Sequence, residues 1–375
     1  MNAASNETRV RWGILGTAGI ARKNWRALRD SGNSILVAVA SRDVERSRRF
    51  IRECQVEALI EPTPKALGSY EDLLASPEVD AVYIPLPTGL RKEWVLRAAA
   101  AGKHILCEKP CAPNAGDLRE MLAACQRHPV QFMDGVMFMH SRRLERLRQV
   151  LDDEESIGPL RRITSAFSFH APSEFLTSNI RTHSALEPHG CLGDLGWYCI
   201  RLALWAMKRQ MPLQVTGRVL SQSNRSDSPL PVPTEFSGEL FFAEGVSTGF
   251  YCSFITENQQ WANLSGVKGY AQVPDFVLPF AGCELSFEVQ QHQFRIRGGD
   301  FRMEPNPRRI TVDEYSHNHP TAQEANLFRN FSNLVRSGKL DQQWPEIALK
   351  TQLVLDACLE SARNNNAAVR LQTSL

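Results

Sequence analysis

Up to residue 136, short apolar runs alternate with amphipathic stretches along the chain. The runs suit buried strands, and they cover residues 10–15, 35–40, 79–87, 104–108 and 130–135. The stretches between them have the spacing of helices, the first over Gly19–Asp30. Strands that alternate with helices of this length predict βαβ units, a parallel sheet and right-handed crossovers.

Beyond residue 140 the pattern changes. Residues 160–170 alternate as a half-buried strand does, and residues 194–207 have the apolar content of a helix. The polar, proline-rich stretch 221–234 predicts a loop. Successive antiparallel strands are predicted over 238–243, 246–255, 283–293 and 294–299, and helices near 322–337 and 346–364 close the chain. We therefore expect an α/β protein whose second part is an α+β domain with an open, mainly antiparallel sheet.

A glycine-containing segment, residues 16–21, follows the first predicted strand. It matches the dinucleotide fingerprint Gly-x-Gly-x-x-Gly/Ala with alanine in the middle position. The first glycine permits a tight turn, a small middle residue lets the backbone approach a pyrophosphate, and N–H groups at the helix start can bind the phosphates. The loop residues expected to contact a dinucleotide are Gly16, Thr17, Ala18, Gly19 and Ile20. Residues 1–136 are thus predicted to form a Rossmann domain and residues 137–375 a second domain.

Residues at the end of the second predicted strand indicate which nicotinamide cofactor is bound. A protein that prefers NAD usually carries Asp or Glu there, whereas Ser41 and Arg42 come first here and Arg46 follows one helical turn later. Such side chains suit the 2′-phosphate of NADP. Asp43 is interpreted as the N-cap of the next helix, with a ribose contact as the alternative. NADP is the expected cofactor, and NAD is possible.

A lysine follows the fifth predicted strand, in the sequence Glu108-Lys109-Pro110. Ligands of parallel sheets bind beyond the carboxyl ends of the strands, so Lys109 is expected to face the nicotinamide. Most lysines are solvated surface charges, but this one lies between a buried strand and a proline.

Three motifs, "GKHILCEKP" (102–110), "IPLPT" (84–88) and "GDLGWYCIR" (193–201), resemble the glucose–fructose oxidoreductase / inositol dehydrogenase / rhizopine catabolism (Gfo/Idh/MocA) family. The likeness covers nearly the whole chain and includes plant-type uncharacterised oxidoreductases and dimeric dihydrodiol dehydrogenase. It implies an N-terminal Rossmann domain, followed by a C-terminal domain that binds substrate and whose open sheet often forms the subunit interface.

The resemblance implies that Lys109 is catalytic and that Asp194 and Tyr198, in the second site motif, are catalytic and bind substrate. A helix cap is the alternative for Asp194. Tyr198 occupies the position that is His in inositol dehydrogenases. Tyr198 is expected to exchange the proton of the substrate hydroxyl, while the Lys109 ammonium favours the phenolate and holds the substrate oxygen. Lys109 as the direct proton carrier is the alternative. The residues expected beside the cofactor are Pro85, Leu86, Thr88, Glu108 and Lys109.

Two departures from the family pattern bear on the site. Arg91 stands where the family has His, which concerns the contacts around the cofactor. After the sixth strand His140 is kept but the usual Asn-Pro is not, which concerns the substrate pocket where Met137, Phe138 and His140 are expected. Arg181 is a further candidate substrate contact, because plant-type members carry a similar run; a surface arginine is the alternative.

These residues predict an enzyme, an NADP-dependent oxidoreductase that interconverts an alcohol and a carbonyl on a small sugar, polyol or trans-diol by hydride transfer. One alternative is a nicotinamide-dependent glycosidase that holds NAD tightly, and another is a non-catalytic sensor, which would not need both Lys109 and Tyr198. The later strands are expected to leave an apolar sheet face uncovered, which predicts a homodimer or a dimer of dimers.

Composition adds mainly exclusions. Forty-three basic and 41 acidic side chains give a net charge of +2 without a dense basic block, so neither nucleic acid nor a membrane surface is expected as a partner. The first nine residues lack the apolar stretch of a signal peptide, and no apolar run reaches the ~18 residues that span a bilayer. The nine cysteines include no Cys-x-x-Cys, which predicts reduced thiols, no metal site and a cytoplasmic location.

Overall fold

The computed structural model describes residues 9–372 of the 375-residue chain. These residues form two compact units. The first comprises the chain up to His140 with residues 185–188 and 318–352, and the second comprises residues 141–184, 189–317 and the chain from Leu353 onward. The polar start of the chain, on which the expected lack of a signal peptide depends, lies outside the described residues apart from Arg9.

The first unit is built on a parallel sheet. Its strands are β1 (Val10–Leu15), β2 (Ser34–Ala40), β3 (Lys65–Leu67), β4 (Ala81–Ile84), β5 (His104–Cys107) and β6 (Phe132–Asp134). Its helices are α1 (Gly19–Asp30), α2 (Val44–Glu57), α3 (Tyr70–Ala75), α4 (Thr88–Ala100), α5 (Ala115–Arg127) and, far along the chain, α9 (Gln323–Ser337). The strand order β3-β2-β1-β4-β5-β6 reverses between β1 and β4, which is where such sheets bind ligands. The predicted βαβ organisation is confirmed.

Helix α9 covers part of this sheet although it lies far from β1 in sequence. The indole of Trp12 packs edge-on against Phe328, with ring centroids 5.2 Å apart, and lies 5.1 Å from the ring of Phe331. Its Nε1 donates to the hydroxyl of Ser332, 320 residues away, at 3.2 Å. Trp12 is fully buried as a result, and β1 is fixed from one face by a distant segment.

The second unit is built on a ten-stranded sheet. Its helices are α6 (Arg142–Asp152), α7 (Ser173–Ser178) and α8 (Trp197–Ala206). Its strands are β7 (Leu160–His170), β8 (Gln214–Ser223), β9 (Val232–Phe241), β10 (Ser247–Ser253), β11 (Ile255–Gln259), β12 (Ala262–Gly266), β13 (Tyr270–Val273), β14 (Glu284–Gln290), β17 (Pro307–Tyr315) and β18 (Val369–Arg370). The order is β17-β14-β13-β12-β7-β10-β9-β8-β18, with β11 paired to β7. Strands β7 and β10 run parallel and the other neighbours antiparallel, so the mainly antiparallel sheet is confirmed.

The last long helix, α10 (Gln343–Arg363), contributes its first part to the first unit and its second part to the second. It is the longest helix of residues 9–372, and neither it nor any other helix there is both long and apolar enough to cross a bilayer.

Two predictions about the later strands need correction. The loop predicted over 221–234 is shorter, because β8 and β9 keep pairing as far as Ser223 and Val232. The segments 283–293 and 294–299 contain strands that are not neighbours. Strand β14 pairs with β13 and β17, whereas β15 (Gln293–Arg297) pairs with β16 (Asp300–Glu304) in a separate two-stranded sheet. Alternation of apolar and polar residues identifies a strand but not the strand with which it pairs, so these pairings were not predictable from the sequence.

The large sheet of the second unit borders an open cleft. In β9 and β10 the apolar side chains of Phe236, Leu240 and Phe250 are buried. Ser237 and Glu239 line an open cleft of about 640 Å³, together with further polar and aromatic side chains of the sheet. The cleft therefore presents both polar and aromatic side chains, and association through this sheet stays a prediction.

A glycine before α8 allows the backbone of the second site motif to lie close to β9. Gly190 has φ +51°, and a Cβ there would lie 2.1 Å from the carbonyl oxygen of Pro233 at the start of β9. The π-helical turn Leu192–Gly196 and then α8 follow directly. Close approach of two backbones thus positions the helical segment.

We predict that Gly190→Ala destabilises the protein by roughly 2–4 kcal/mol, because the methyl group meets a backbone oxygen and the residue needs a left-handed conformation. Thermal or urea unfolding measures the effect. Gly299→Ala is the matched control, since a Cβ at Gly299 would meet nothing within 4 Å. Equal unfolding midpoints for the two variants would contradict the prediction.

Candidate functional site

The glycine loop turns tightly after β1. Gly16 has φ +113°, its N–H donates to the carbonyl of Ala40 at 2.8 Å, and a Cβ there would lie 2.9 Å from the side chain of Leu86. Helix α1 begins at Gly19 with Ala18 as N-cap, without a side-chain cap and without an acidic residue in its first turn. A Cβ at Gly19 would meet nothing within 4 Å. Thr17 is half-buried and Ile20 is exposed. The start of α1 is therefore open, and its N–H groups suit an anion.

The turn after β2 separates the two residues that were predicted to recognise a 2′-phosphate. Arg42 is exposed, whereas Ser41 is buried. The Ser41 hydroxyl donates to the carbonyl of Asp43 at 2.6 Å and accepts from the hydroxyl of Ser47 at 3.1 Å. Ser41 thus stabilises the turn. Asp43 accepts from the N–H of Glu45 at 2.9 Å, so the N-cap interpretation is confirmed.

Arg46 and an unpredicted tyrosine connect this turn to the glycine loop. The Nε of Arg46 donates to the hydroxyl of Thr17 at 3.0 Å. The hydroxyl of Tyr70 would lie 3.7 Å from a Cβ at Gly16. Burial raises the pKa of Tyr70, and the guanidinium groups of Arg42 and Arg46 act in the opposite direction. The phenol of Tyr70 and the guanidinium of Arg46 therefore lie beside the glycine loop. A tyrosine at the start of a helix gives no sequence signal of such a role.

A buried carboxylate anchors the lysine after β5. Glu108 accepts from the hydroxyl of Tyr83 at 2.6 Å and from the N–H of Lys109 at 3.2 Å. Tyr83 in turn accepts from the amide of Asn24 in α1 at 2.7 Å. Burial, then the neighbouring Glu108 charge, raises the pKa of Tyr83 well above its usual value, so the phenol stays protonated and donates. A Cβ at Gly135 would lie 3.1 Å from the carboxylate, so a small residue there leaves room for Glu108.

Arg91, the departure from the family pattern, joins the loops after β4 and β5. Its Nε donates to the carbonyl of Leu86 at 2.7 Å, and its Nη1 donates to the hydroxyl of Thr88 at 3.0 Å and to the carbonyl of Pro110. Arg91 is buried, as are Pro85 and Leu86. The arginine therefore holds in place the loop that carries the predicted lysine.

A distant carboxylate caps α4. Glu187 accepts from the N–H of Thr88 at 3.0 Å and from its hydroxyl at 2.6 Å. The local N-cap position, Pro87, offers no side-chain cap. The N–H of Gly89 donates to the carbonyl of Leu186 at 2.9 Å. The Thr88 hydroxyl is thus hydrogen-bonded within the first unit. Glu187 was not predicted as a site residue, because its partner lies 99 positions away in the sequence.

The residues predicted to line a substrate pocket after β6 are packed inside the first unit. Met137, Phe138 and His140 are all buried. The His140 ring stacks on Trp344 with centroids 4.6 Å apart, and its Nδ1 lies 3.1 Å from the amide of Asn330. These contacts favour a packing role for His140.

In the second unit the structure brings Arg181 and Asp194 together. The Nε of Arg181 lies 2.8 Å from the carboxylate of Asp194, and the arginine side chain is 41% exposed. Asp194 lies in the π-helical turn before α8, and Tyr198 is the second residue of α8. The Tyr198 ring packs edge-on against Phe167 with centroids 5.6 Å apart and is mostly buried. A half-exposed ion pair therefore lies one helical turn from a buried tyrosine.

Residues 9–372 contain no group of three or more His, Cys, Asp or Glu side chains that could hold a metal ion.

Comparison with protein families gives two matches. The model described as "Oxidoreductase family, NAD-binding Rossmann fold" (GFO_IDH_MocA) matches residues 10–136. The GFO/IDH/MocA C-terminal domain model matches residues 144–272.

Two curated relatives illustrate the likeness. D-xylose 1-dehydrogenase (NADP(+)) 2 of Haloferax volcanii is 29% identical over 96% of this chain and 99% of its own length. Trans-1,2-dihydrobenzene-1,2-diol dehydrogenase of Mus musculus is 32% identical over 76% of this chain and 80% of its own.

Solved structures share the fold. The aldose-aldose oxidoreductase from Caulobacter crescentus, complexed with glycerol, superimposes with a TM-score of 0.79 at 23% identity, over 97% of this chain and 100% of its own. KijD10, a 3-ketoreductase from Actinomadura kijaniata in complex with NADP and TDP-benzene, gives 0.76 at 24% identity, over 94% and 97%.

We predict that Arg91→Met destabilises the protein by about 2–4 kcal/mol, because buried carbonyls of Leu86 and Pro110 lose their donor. Urea unfolding measures the loss. Arg97→Met on the same helix is the control, since Arg97 is half-exposed and pairs with Glu71 and Glu93 at the surface. A stability change in Arg91→Met no larger than in Arg97→Met would show that Arg91 does not hold the two loops.

Proposed function

The chain belongs to the GFO/IDH/MocA family of oxidoreductases, and from that premise we propose that it is an NADP-dependent enzyme that interconverts an alcohol and a carbonyl on a small sugar, polyol or trans-diol. The observation that carries the proposal is Lys109, which follows β5 in the nucleotide-binding sheet and whose backbone is anchored by buried Glu108. Relatives named for D-xylose and for a trans-dihydrodiol support the substrate class.

The first unit fits NADP. The open start of α1 suits the pyrophosphate, and the exposed Arg42, with Arg46 beside the loop, suits the 2′-phosphate. The Ser41 hydroxyl is already used within its turn, so the arginines carry this recognition in the proposal. Bound NADP supplies the carbon that accepts or donates hydride. The chain's own task is to hold the cofactor and to move the hydroxyl proton.

Tyr198 is proposed to exchange that proton. A Lys109 ammonium close to the reacting oxygen would favour the phenolate and stabilise negative charge on the substrate oxygen. Lys109 as the direct proton carrier is the alternative that the variants below distinguish. In this assignment residues 1–136 bind the cofactor and residues 137–375 bind the substrate.

The ion pair between Arg181 and Asp194 is proposed to bind substrate hydroxyls. The guanidinium donates and the carboxylate accepts, which matches vicinal hydroxyl groups. Because the two charges compensate, the pair favours a neutral polyol over a carboxylate or a phosphate.

We further propose that the protein is a homodimer. We also propose a reducing, cytoplasmic environment, because the nine cysteines are scattered without any Cys-x-x-Cys.

The experiment that tests the reaction is a substrate screen. Purified protein is incubated with NADP⁺ or NAD⁺ and with D-xylose, other aldoses, polyols and trans-diols, and the absorbance of the reduced nicotinamide is followed. Net reduction with at least one such substrate, faster with NADP⁺, is expected. Failure with every member, together with NAD released on denaturation, would point instead to a glycosidase that retains its cofactor.

We predict that Arg42→Ala weakens NADP⁺ binding by roughly 10- to 150-fold, the loss expected for one charge-assisted hydrogen bond, and leaves NAD⁺ binding nearly unchanged. Calorimetric titration of both cofactors measures the difference. Arg52→Ala, an exposed position near the other end of α2, is the control. Equal losses for the two cofactors would refute the assignment.

We predict that Tyr198→Phe lowers kcat by about 10²–10⁴-fold while cofactor binding stays near normal, because only the hydroxyl is removed. Lys109→Met should also collapse kcat and in addition weaken cofactor binding. The double variant should lose much less than the product of the two single losses, because the groups act as one unit. Near-normal turnover of Tyr198→Phe across pH would make Lys109 the proton carrier.

A further inference from the structure

A two-stranded ribbon extends the second unit beyond the edge of its large sheet. Strands β15 and β16 are inserted between β14 and β17, and they turn at Gly298 and Gly299. Pairing of Gln290 with Pro307 and the bond from the N–H of Gln291 to the carbonyl of Asn306 continue the hairpin into the ribbon. Five residues per strand give an arm roughly 17 Å long. We call Gln293–Glu304 the arm.

The register places all large apolar side chains of the arm on one face. Phe294 pairs with Met303, and Ile296 pairs with Phe301. The rings of Phe294 and Phe301 stack with centroids 6.0 Å apart. We call these four residues the apolar face of the arm.

The opposite face is charged and internally paired. Arg295 lies 3.1 Å from the carboxylate of Glu304, and Arg302 lies 2.6 Å from that of Asp300. The sequence alternates strictly between the two faces, which is the pattern of a strand with one side in water and one side covered.

No cover comes from the part of the chain that the structure describes. Every residue from 292 to 309 is exposed. The apolar face is 57% exposed at Phe294, 58% at Ile296, 68% at Phe301 and 65% at Met303. A two-stranded ribbon by itself is marginally stable in water, and a contiguous apolar patch on a soluble protein usually marks a contact surface.

We propose that a second copy of this chain covers the apolar face of the arm, with the two arms exchanged across a two-fold axis. The ribbon needs its cover whenever the protein is folded, and a second copy is the partner that is always present in equal amount. The four exposed side chains of the arm supply apolar surface for such an association. This inference rests on the proposed homodimer and is independent of the proposed reaction.

The area agrees with a stable dimer. Each apolar side chain of the arm leaves roughly 100 Å² in water, so one arm presents roughly 400–500 Å². Two exchanged arms, with the surfaces that cover them, would remove roughly 1,600–2,000 Å² from water, the size of a standard specific interface.

The test compares two double variants by sedimentation velocity across a micromolar concentration range. Phe294→Thr with Phe301→Thr removes the apolar face and keeps residues that favour strands. Arg295→Thr with Arg302→Thr changes neighbouring positions on the charged face and is the matched control. We expect a dimeric wild type, a dimeric control, and a dissociation constant raised at least about 100-fold in the apolar-face variant.

A second variant guards against misfolding of the ribbon. Replacing Gln293–Glu304 by an Asn-Gly turn closes the hairpin of β14 and β17 directly. This variant should be a folded monomer, with unchanged circular dichroism and wild-type affinity for NADP⁺, which the first unit is proposed to bind.

Three results would overturn the proposal. A monomeric wild type would refute both the proposed arm contact and the proposed homodimer. A wild-type dimer that persists in the apolar-face and arm-deleted variants keeps the homodimer but rejects the arm. A monomeric wild type that sediments with phosphatidylserine vesicles only when the apolar face is intact assigns the arm to a membrane surface. None of these measurements uses substrate, so they leave the proposed reaction to its own test.

Discussion

The buried carboxylate of Glu108 is the group on which the first unit's part of the site depends. A carboxylate away from water is tolerated only when it is hydrogen-bonded, and Tyr83 and the N–H of Lys109 fulfil this requirement. Asn24 in α1 orients Tyr83. The contacts run from the helix of the glycine loop through β4 to the end of β5. The position of the Lys109 backbone is therefore determined by side chains on three elements of the sheet.

The same requirement applies to a buried cation next to it. Arg91 donates to the carbonyls of Leu86 and Pro110 and to the hydroxyl of Thr88. Thr88 passes the contact on to Glu187. The length of the arginine side chain explains how one residue reaches both loops at the carboxyl edge of the sheet.

The second unit positions its residues by close backbone approach and by an ion pair. Gly190 lies against the backbone of Pro233, and the wider π-helical turn after it presents Asp194 to Arg181. In the strands that follow, Phe236, Leu240 and Phe250 are buried, and polar and aromatic side chains line the open cleft. The arm is the exception, because its apolar face has no neighbour within the unit.

Residues that act on close sequence neighbours were predictable from the sequence alone. The bounds of β1 and α1, the turn at Gly16 and the cap at Asp43 depend on periodicity and on contacts within a few positions. The sequence motifs also identified the family. Each of these features is set by local geometry, so the order of residues is sufficient to determine it.

Only the tertiary structure decided which groups meet across long separations. In the folded chain the Ser41 hydroxyl bonds to Asp43 and Ser47, and Glu187 accepts a hydrogen bond at the start of α4. Helix α9 packs against Trp12. The tertiary structure also decided that β15 pairs with β16 and leaves one apolar face without cover. These outcomes depend on partners that no local pattern identifies. Which hydrogen bonds a side chain makes, and whether it is buried, are determined only when distant segments pack together.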